Sequence, residues 1–139
     1  MLVLDTNHMS EVVRQSAIGK ALVERLDIST RAVATTVIPL QVMLRGWLSR
    51  IRQERDPLEI IPHYAKLQEI AELICYWTAL PWNAAATSEF PQLPQRRLRV
   101  ATMDLKIASI ALAANATLLS RNLGDFQRIP NLSIENRLE

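Results

Sequence analysis

Residues 100–130 read VATMDLKIASIALAANATLLSRNLGDFQRIP, and the fold is decided in this stretch. Ile107, Ile110, Ala111 and Ala114 recur at the three- and four-residue steps of one helical face. Thr102 is placed to cap that helix, so Asp104 falls in its first turn, where the helix dipole favours a carboxylate. Asn115 ends the run, and residues 116–120 (ATLLS) are short and apolar enough for a buried parallel strand. Ser120, Asn122 and Asp125 follow directly, then Phe126. In a parallel sheet with helical crossovers, residues just beyond the carboxyl ends of the strands line one crevice. A helix opening on a carboxylate and a strand ending on a polar trio both belong there.

The start of the chain supplies the partner. Leu2, Val3 and Leu4 form a short apolar strand that stops at Asp5, followed by Thr6 and Asn7. Asp5 would then face the same crevice as Asp104 and Asp125. Three carboxylates converging without a cation repel one another, so such a site raises a pKa or binds a metal. Asp and Asn after strands are also ordinary turn and capping residues, which gives each position alone a structural reading. The three together point to a site.

LDTN at 4–7, MDLKIASIALA at 103–113 and LLSRNLGDF at 118–126 with IPNL at 129–132 resemble the PIN-domain proteins, and among them the VapC-type toxins of toxin–antitoxin pairs. The resemblance covers essentially the whole chain. It implies a single PIN-like domain over residues 1–139, Mg²⁺ or Mn²⁺ as cofactor, and hydrolysis of RNA, with tRNA or rRNA the usual substrate. Carried over by position, Asp5, Asp104 and Asp125 are the expected catalytic metal ligands, with Asn7, Ser120 and Asn122 in support. A cognate antitoxin and a homodimer are also implied. The pattern breaks once. VapC-like sequences carry a Glu four residues before a helix Gly, and that position here is Val42, with Gly46 following and Gln41 beside it. Val42 offers no donor to a cation, and Gln41 no negative charge.

Composition sets wider bounds. At 139 residues the chain is long enough to bury a core without disulfides or a structural metal. The single Cys, Cys75, lies beside Tyr76 and Trp77 in an apolar helical run, where a buried, inert thiol is expected. Two His and one Cys exclude a zinc-finger framework. No leader or membrane-spanning run is evident, the uncharged residues 73–88 being interrupted by Pro81, so a cytoplasmic location away from membranes is expected. A net charge of +2 is too slight to announce a nucleic-acid binder. The distribution says more: Arg45, Arg50, Arg52 and Arg55 cluster in one segment, and Arg96, Arg97 and Arg99 in another. Such clusters are either solvated faces or phosphate contacts; for the RNA role, Arg45, Arg96, Arg97 and Arg99 are the candidates.

Along the remaining chain, helices are expected over 8–15 and 17–26, then a second strand over 32–36. Pro39 suits the first turn of a helix running to about Glu54, with Leu40, Met43, Leu44, Trp47, Leu48 and Ile51 as its core stripe. Val42 falls on the opposite face with Arg45, Gly46 and Ser49, and Gly46 offers room for close backbone approach. His8 lies just past Asp5 and Asn7, within reach of the site; a surface or capping role is the stronger expectation, because no second His or Cys stands at ligand spacing. Asp56-Pro57 ends the helix, and 64–79 forms another, with Leu67, Ile70, Leu73, Ile74 and Trp77 inward. Residues 80–82 read as extended, Asn83 caps a helix over 84–90, and a last strand lies around 132–134. This alternation indicates a three-layer α/β sandwich with a mostly parallel central sheet flanked by helices.

Hard oxygen donors select Mg²⁺ or Mn²⁺, and the residue types suit metal-dependent hydrolysis of a phosphodiester. The absent acid at Val42 implies a weakened nuclease or, alternatively, a lapsed PIN domain that binds RNA or protein. A phospho-acceptor domain is disfavoured because Asp5 lacks an adjacent second acid. A nucleotide-cradling loop is disfavoured because the glycines are only Gly19, Gly46 and Gly124.

Overall fold

A computed structural model describes residues 1–90 and 100–138. Among the described residues there are five strands, β1 (Leu2–Leu4), β2 (Val33–Thr36), β3 (Thr78–Leu80), β4 (Thr117–Leu119) and β5 (Ser133–Glu135). Seven helices are described: α1 (Thr6–Arg14), α2 (Ala17–Asp27), α3 (Val37–Gln53), α4 (Pro57–Tyr76), α5 (Ala84–Glu89), α6 (Thr102–Ala113) and α7 (Leu123–Phe126). All strand pairings are parallel, in the order β3-β2-β1-β4-β5. The α/β sandwich read from the sequence is therefore present.

The strands are short and apolar because both faces of the sheet are covered. Side chains alternate across it. Val3 and Leu118 join a core with Ala86 of α5, Leu105 and Ala108 of α6 and Phe126 of α7. Leu2, Leu4 and Leu119 point the other way, into a core with Met9 of α1, Leu22 of α2, Met43 of α3 and Ile70 of α4. From β1 the chain winds outward through β2 and β3, then returns to place β4 and β5 on the other side. The β1/β4 boundary is thus the point where strand order reverses, and its carboxyl edge is where a crevice must open.

Several sequence expectations are corrected. Thr102 is the first residue of α6 and not its cap; Ala101 holds the cap position and makes no side-chain capping bond. Pro57 begins α4, with the Asp56 carboxylate accepting the Leu58 N–H at 3.0 Å. That helix runs through Pro62, and ends at Tyr76, so the extended piece is Thr78–Leu80 and pairs with β2. Leu48 is 53% exposed and leaves the expected core stripe. Cys75 is exposed, because its neighbour Trp77 takes the inward position. Gly46 has no atom within 4 Å of where a Cβ would stand; close approach occurs at Gly19, where a Cβ would overlap the carbonyl of Glu11. Pro91, Pro94, Arg96, Arg97 and Arg99 lie outside the described residues.

No helix among the described residues is long and apolar enough to cross a membrane.

Candidate functional site

Asp5 is fixed by its backbone. β1 ends at Leu4, the Asp5 N–H donates to the Leu119 carbonyl at 3.0 Å, and the carboxylate caps α1 by accepting the His8 N–H at 2.9 Å. An N-cap carboxylate is favoured both by the free N–H groups and by the dipole. The side chain is nearly fully buried. Asp104 stands in the first turn of α6 and is half-buried. α6 runs back against the strands, so its first turn lies at the same carboxyl edge.

After β4 the chain turns sharply. The Ser120 hydroxyl accepts the Asn122 N–H at 2.9 Å, and the Ser120 N–H donates to the Glu135 carbonyl at 2.9 Å. These bonds aim Asn122, whose side-chain amide donates to Asp125 Oδ2 at 2.8 Å. Asp125 is held in the single turn of α7 and is partly buried. Ser120 is fully buried and shapes the turn.

Asp104 senses the other two acids. Burial is the main cause that raises the Asp104 pKa above its ordinary value of 3.8, and the negative charges of Asp5 and then Asp125 raise it further. Hydrogen bonding from Asn122 acts the other way. The three carboxylates thus share one electrostatic neighbourhood, although among the described residues no three His, Cys, Asp or Glu side chains stand together as a ready-made metal group.

Other candidates are placed differently. Asn7 is exposed on the first turn of α1. Arg45 is exposed on α3, in a shallow groove with Gln41, Leu44, Leu48, Ser49 and Arg52. Arg50 stacks over the Trp47 ring, 4.4 Å from its centroid, beside a smaller cleft that it shares with Arg14. Val42 is 38% exposed, so no core packing demands an apolar residue there.

Of the two readings open for His8, contact with the site is the one the structure shows. His8 is fully buried, and its Nδ1 lies 3.1 Å from Asp5 Oδ1. The expected surface or capping role is replaced by direct contact with the first acid. Three-residue spacing after a helix N-cap was the available signal, since it turns a side chain back toward the cap.

The fold and this edge of the sheet define the class: a PIN-like α/β domain. Within that class the likeness is to VapC-type proteins, as the LDTN, MDLKIASIALA and LLSRNLGDF motifs predict. Over 45 residues the chain is 51% identical to Ribonuclease VapC2 of Rickettsia felis, a stretch covering 32% of this chain and 34% of that protein. The match thus spans about a third of the curated relative. The structure of VapBC2 from Rickettsia felis bound to a DNA fragment from their promoter contains a chain that matches with a TM-score of 0.74 at 25% identity, covering 97% of both. A chain of VapBC-1 from nontypeable Haemophilus influenzae matches with a TM-score of 0.78 at 20% identity, over 99% of this chain and 98% of that one, a likeness of fold. No family model matches the chain.

Proposed function

We propose that this chain is a metal-dependent endoribonuclease of the VapC type, the toxin of a toxin–antitoxin pair. The observation that supports this reading is the gathering of Asp5, Asp104 and Asp125 near the carboxyl edge of the sheet, where burial first, and then the charges of Asp5 and Asp125, raise the Asp104 pKa. Negative charge gathered from three segments needs a cation to balance it, and oxygen donors suit Mg²⁺ or Mn²⁺. The fit is in charge and donor type. Mg²⁺ commonly keeps several waters and uses only one or two carboxylates directly, so a preformed trio at ligand spacing is not required.

When bound, such an ion would supply Lewis acidity toward a phosphodiester and an attacking water. The chain's own residues do the rest. Asp5 offers a carboxylate that the α1 cap holds still, Asp104 contributes the second, and Asn122 orients Asp125. Asn7 and Ser120 support the site from the α1 turn and the β4 turn. Arg45, Arg96, Arg97 and Arg99 are assigned to phosphates of the RNA, which positions substrate without reading bases. RNA, of the tRNA or rRNA class, is the substrate; the partners are an antitoxin and a second copy of the chain, in the cytoplasm. The name Ribonuclease VapC2 and the VapBC complexes among the structural neighbours support this reading.

A second reading is favoured by Val42. With three carboxylates and no fourth, a lapsed PIN domain binds RNA or protein and does not cut. Cleavage of a structured RNA with Mg²⁺ or Mn²⁺ separates the two. The enzyme reading expects cleavage that Asp5→Asn abolishes and Val42→Glu increases. Retained RNA binding with no cleavage in either the natural chain or Val42→Glu establishes the lapsed reading.

A further inference from the structure

The Asp5 carboxylate is bonded asymmetrically. Oδ1 lies 2.9 Å from the His8 N–H and 3.1 Å from His8 Nδ1. A carboxylate oxygen has two lone pairs, so these contacts occupy Oδ1. Among the described residues, no hydrogen bond goes to Oδ2.

The ring that does this is itself held. His8 Nε2 lies 3.4 Å from the Arg137 N–H, on the segment after β5. That nitrogen can accept only if it carries the lone pair, so the hydrogen of the ring sits on Nδ1 and is donated to Asp5. The segment is anchored on both sides. Arg137 Nε donates to Glu135 Oε2 at 2.9 Å, and Leu138 is 4% exposed in the core with Met9, Val12 and Val13. The Leu138 N–H also donates to Asn136 Oδ1 at 3.0 Å.

We propose that His8 is a positioning residue: locked as the Nδ1–H tautomer by the segment after β5, it occupies Oδ1 of Asp5 and leaves Oδ2 alone to meet a divalent cation in the crevice. The inference rests on the metal-site reading above. It differs from a packing role, in which His8 merely fills the space beneath α1. A packing role moves stability; a positioning role moves the affinity for the ion.

Two substitutions separate these roles, because each amide copies one ring nitrogen. The Asn amide nitrogen falls near Nδ1 and keeps the bond to Asp5. The Gln amide falls near Nε2 and loses it. Mn²⁺ affinity by calorimetry should fall about tenfold in His8→Gln, the effect usual for groups that orient a metal ligand, and stay within about threefold in His8→Asn. Thermal melts of both variants, and long-range ¹⁵N spectra of the metal-free natural chain, accompany the titrations. The spectra should show His8 with its hydrogen on Nδ1. Equal Mn²⁺ affinity in the two variants, losses that follow melting temperature instead of the Asn/Gln difference, or an Nε2–H tautomer overturns the proposal. Absence of Mn²⁺ binding by the natural chain overturns the metal-site reading instead, and the tautomer then decides by itself whether His8 orients Asp5.

Discussion

Asp104 shows how a site conflicts with the fold that carries it. Its raised pKa means that the folded state penalises the charged form, first through burial and then through Asp5 and Asp125. The sign follows from linkage. Above the raised value the charge is present and the fold is destabilised; as pH falls through that value, the proton is taken up and the penalty disappears. Asp104→Asn should therefore raise the melting temperature of the metal-free protein at neutral pH, by on the order of 2 °C. The gain should shrink as the pH approaches 3.8. Calorimetric melts at two pH values check it, and a lower melting temperature for the variant at neutral pH contradicts it. The candidate acids were legible because each follows or opens an element whose boundary short apolar runs make plain. For His8 the spacing from Asp5 was readable, whereas its bond to the Arg137 N–H, 129 residues away, is recorded by no local pattern.

Among the elements, α1 carries the most consequence, since Asp5 caps it and His8 lies within it. Its seat depends on α2. The Ser16 hydroxyl accepts the Gly19 N–H at 3.0 Å and donates to Glu11 Oε2 at 2.6 Å, which draws α2 onto the end of α1. At Gly19 the two backbones meet, and any Cβ overlaps the Glu11 carbonyl. Gly19→Ala should cost about 1–3 kcal/mol in chemical denaturation, the range for forcing extra atoms into a packed contact. An unchanged midpoint would show that the helices do not meet there. The sequence pointed to Gly46 for such a contact because it stands in a long amphipathic helix, whereas the decisive partner for Gly19 lies on a neighbouring helix that periodicity does not describe. α4 starts earlier than the expected 64: it opens at Pro57 and carries Pro62 inside, and Leu58 at 72% and Ile61 at 63% exposure place this part of the helix at the surface. The same helix turns Cys75 outward, so a thiol reagent such as DTNB should label it in the folded protein. Labelling that appears only after denaturation contradicts that orientation.

At the scale of the whole molecule, strand order does what no single element can. Asp5, Asp104 and Asp125 come from the start, the late helix and the turn after β4. They come to one edge of the sheet because β1 and β4 are neighbours and α6 runs back to that edge. Much of this was readable: short β-branched and aliphatic runs alternating with amphipathic helices permit few arrangements other than a parallel sheet covered on both faces. The order of strands was not readable, since pairing across the β1/β4 boundary is a tertiary choice between equally apolar runs. The account therefore rests on three distant carboxylates acting on one cation. Calorimetric titration of Mn²⁺ into the natural chain and into Asp5→Asn, Asp104→Asn and Asp125→Asn tests it most directly. The natural chain should bind the ion, and each variant should bind at least about tenfold more weakly; no binding by the natural chain, or variants that bind as well as it does, contradicts the account.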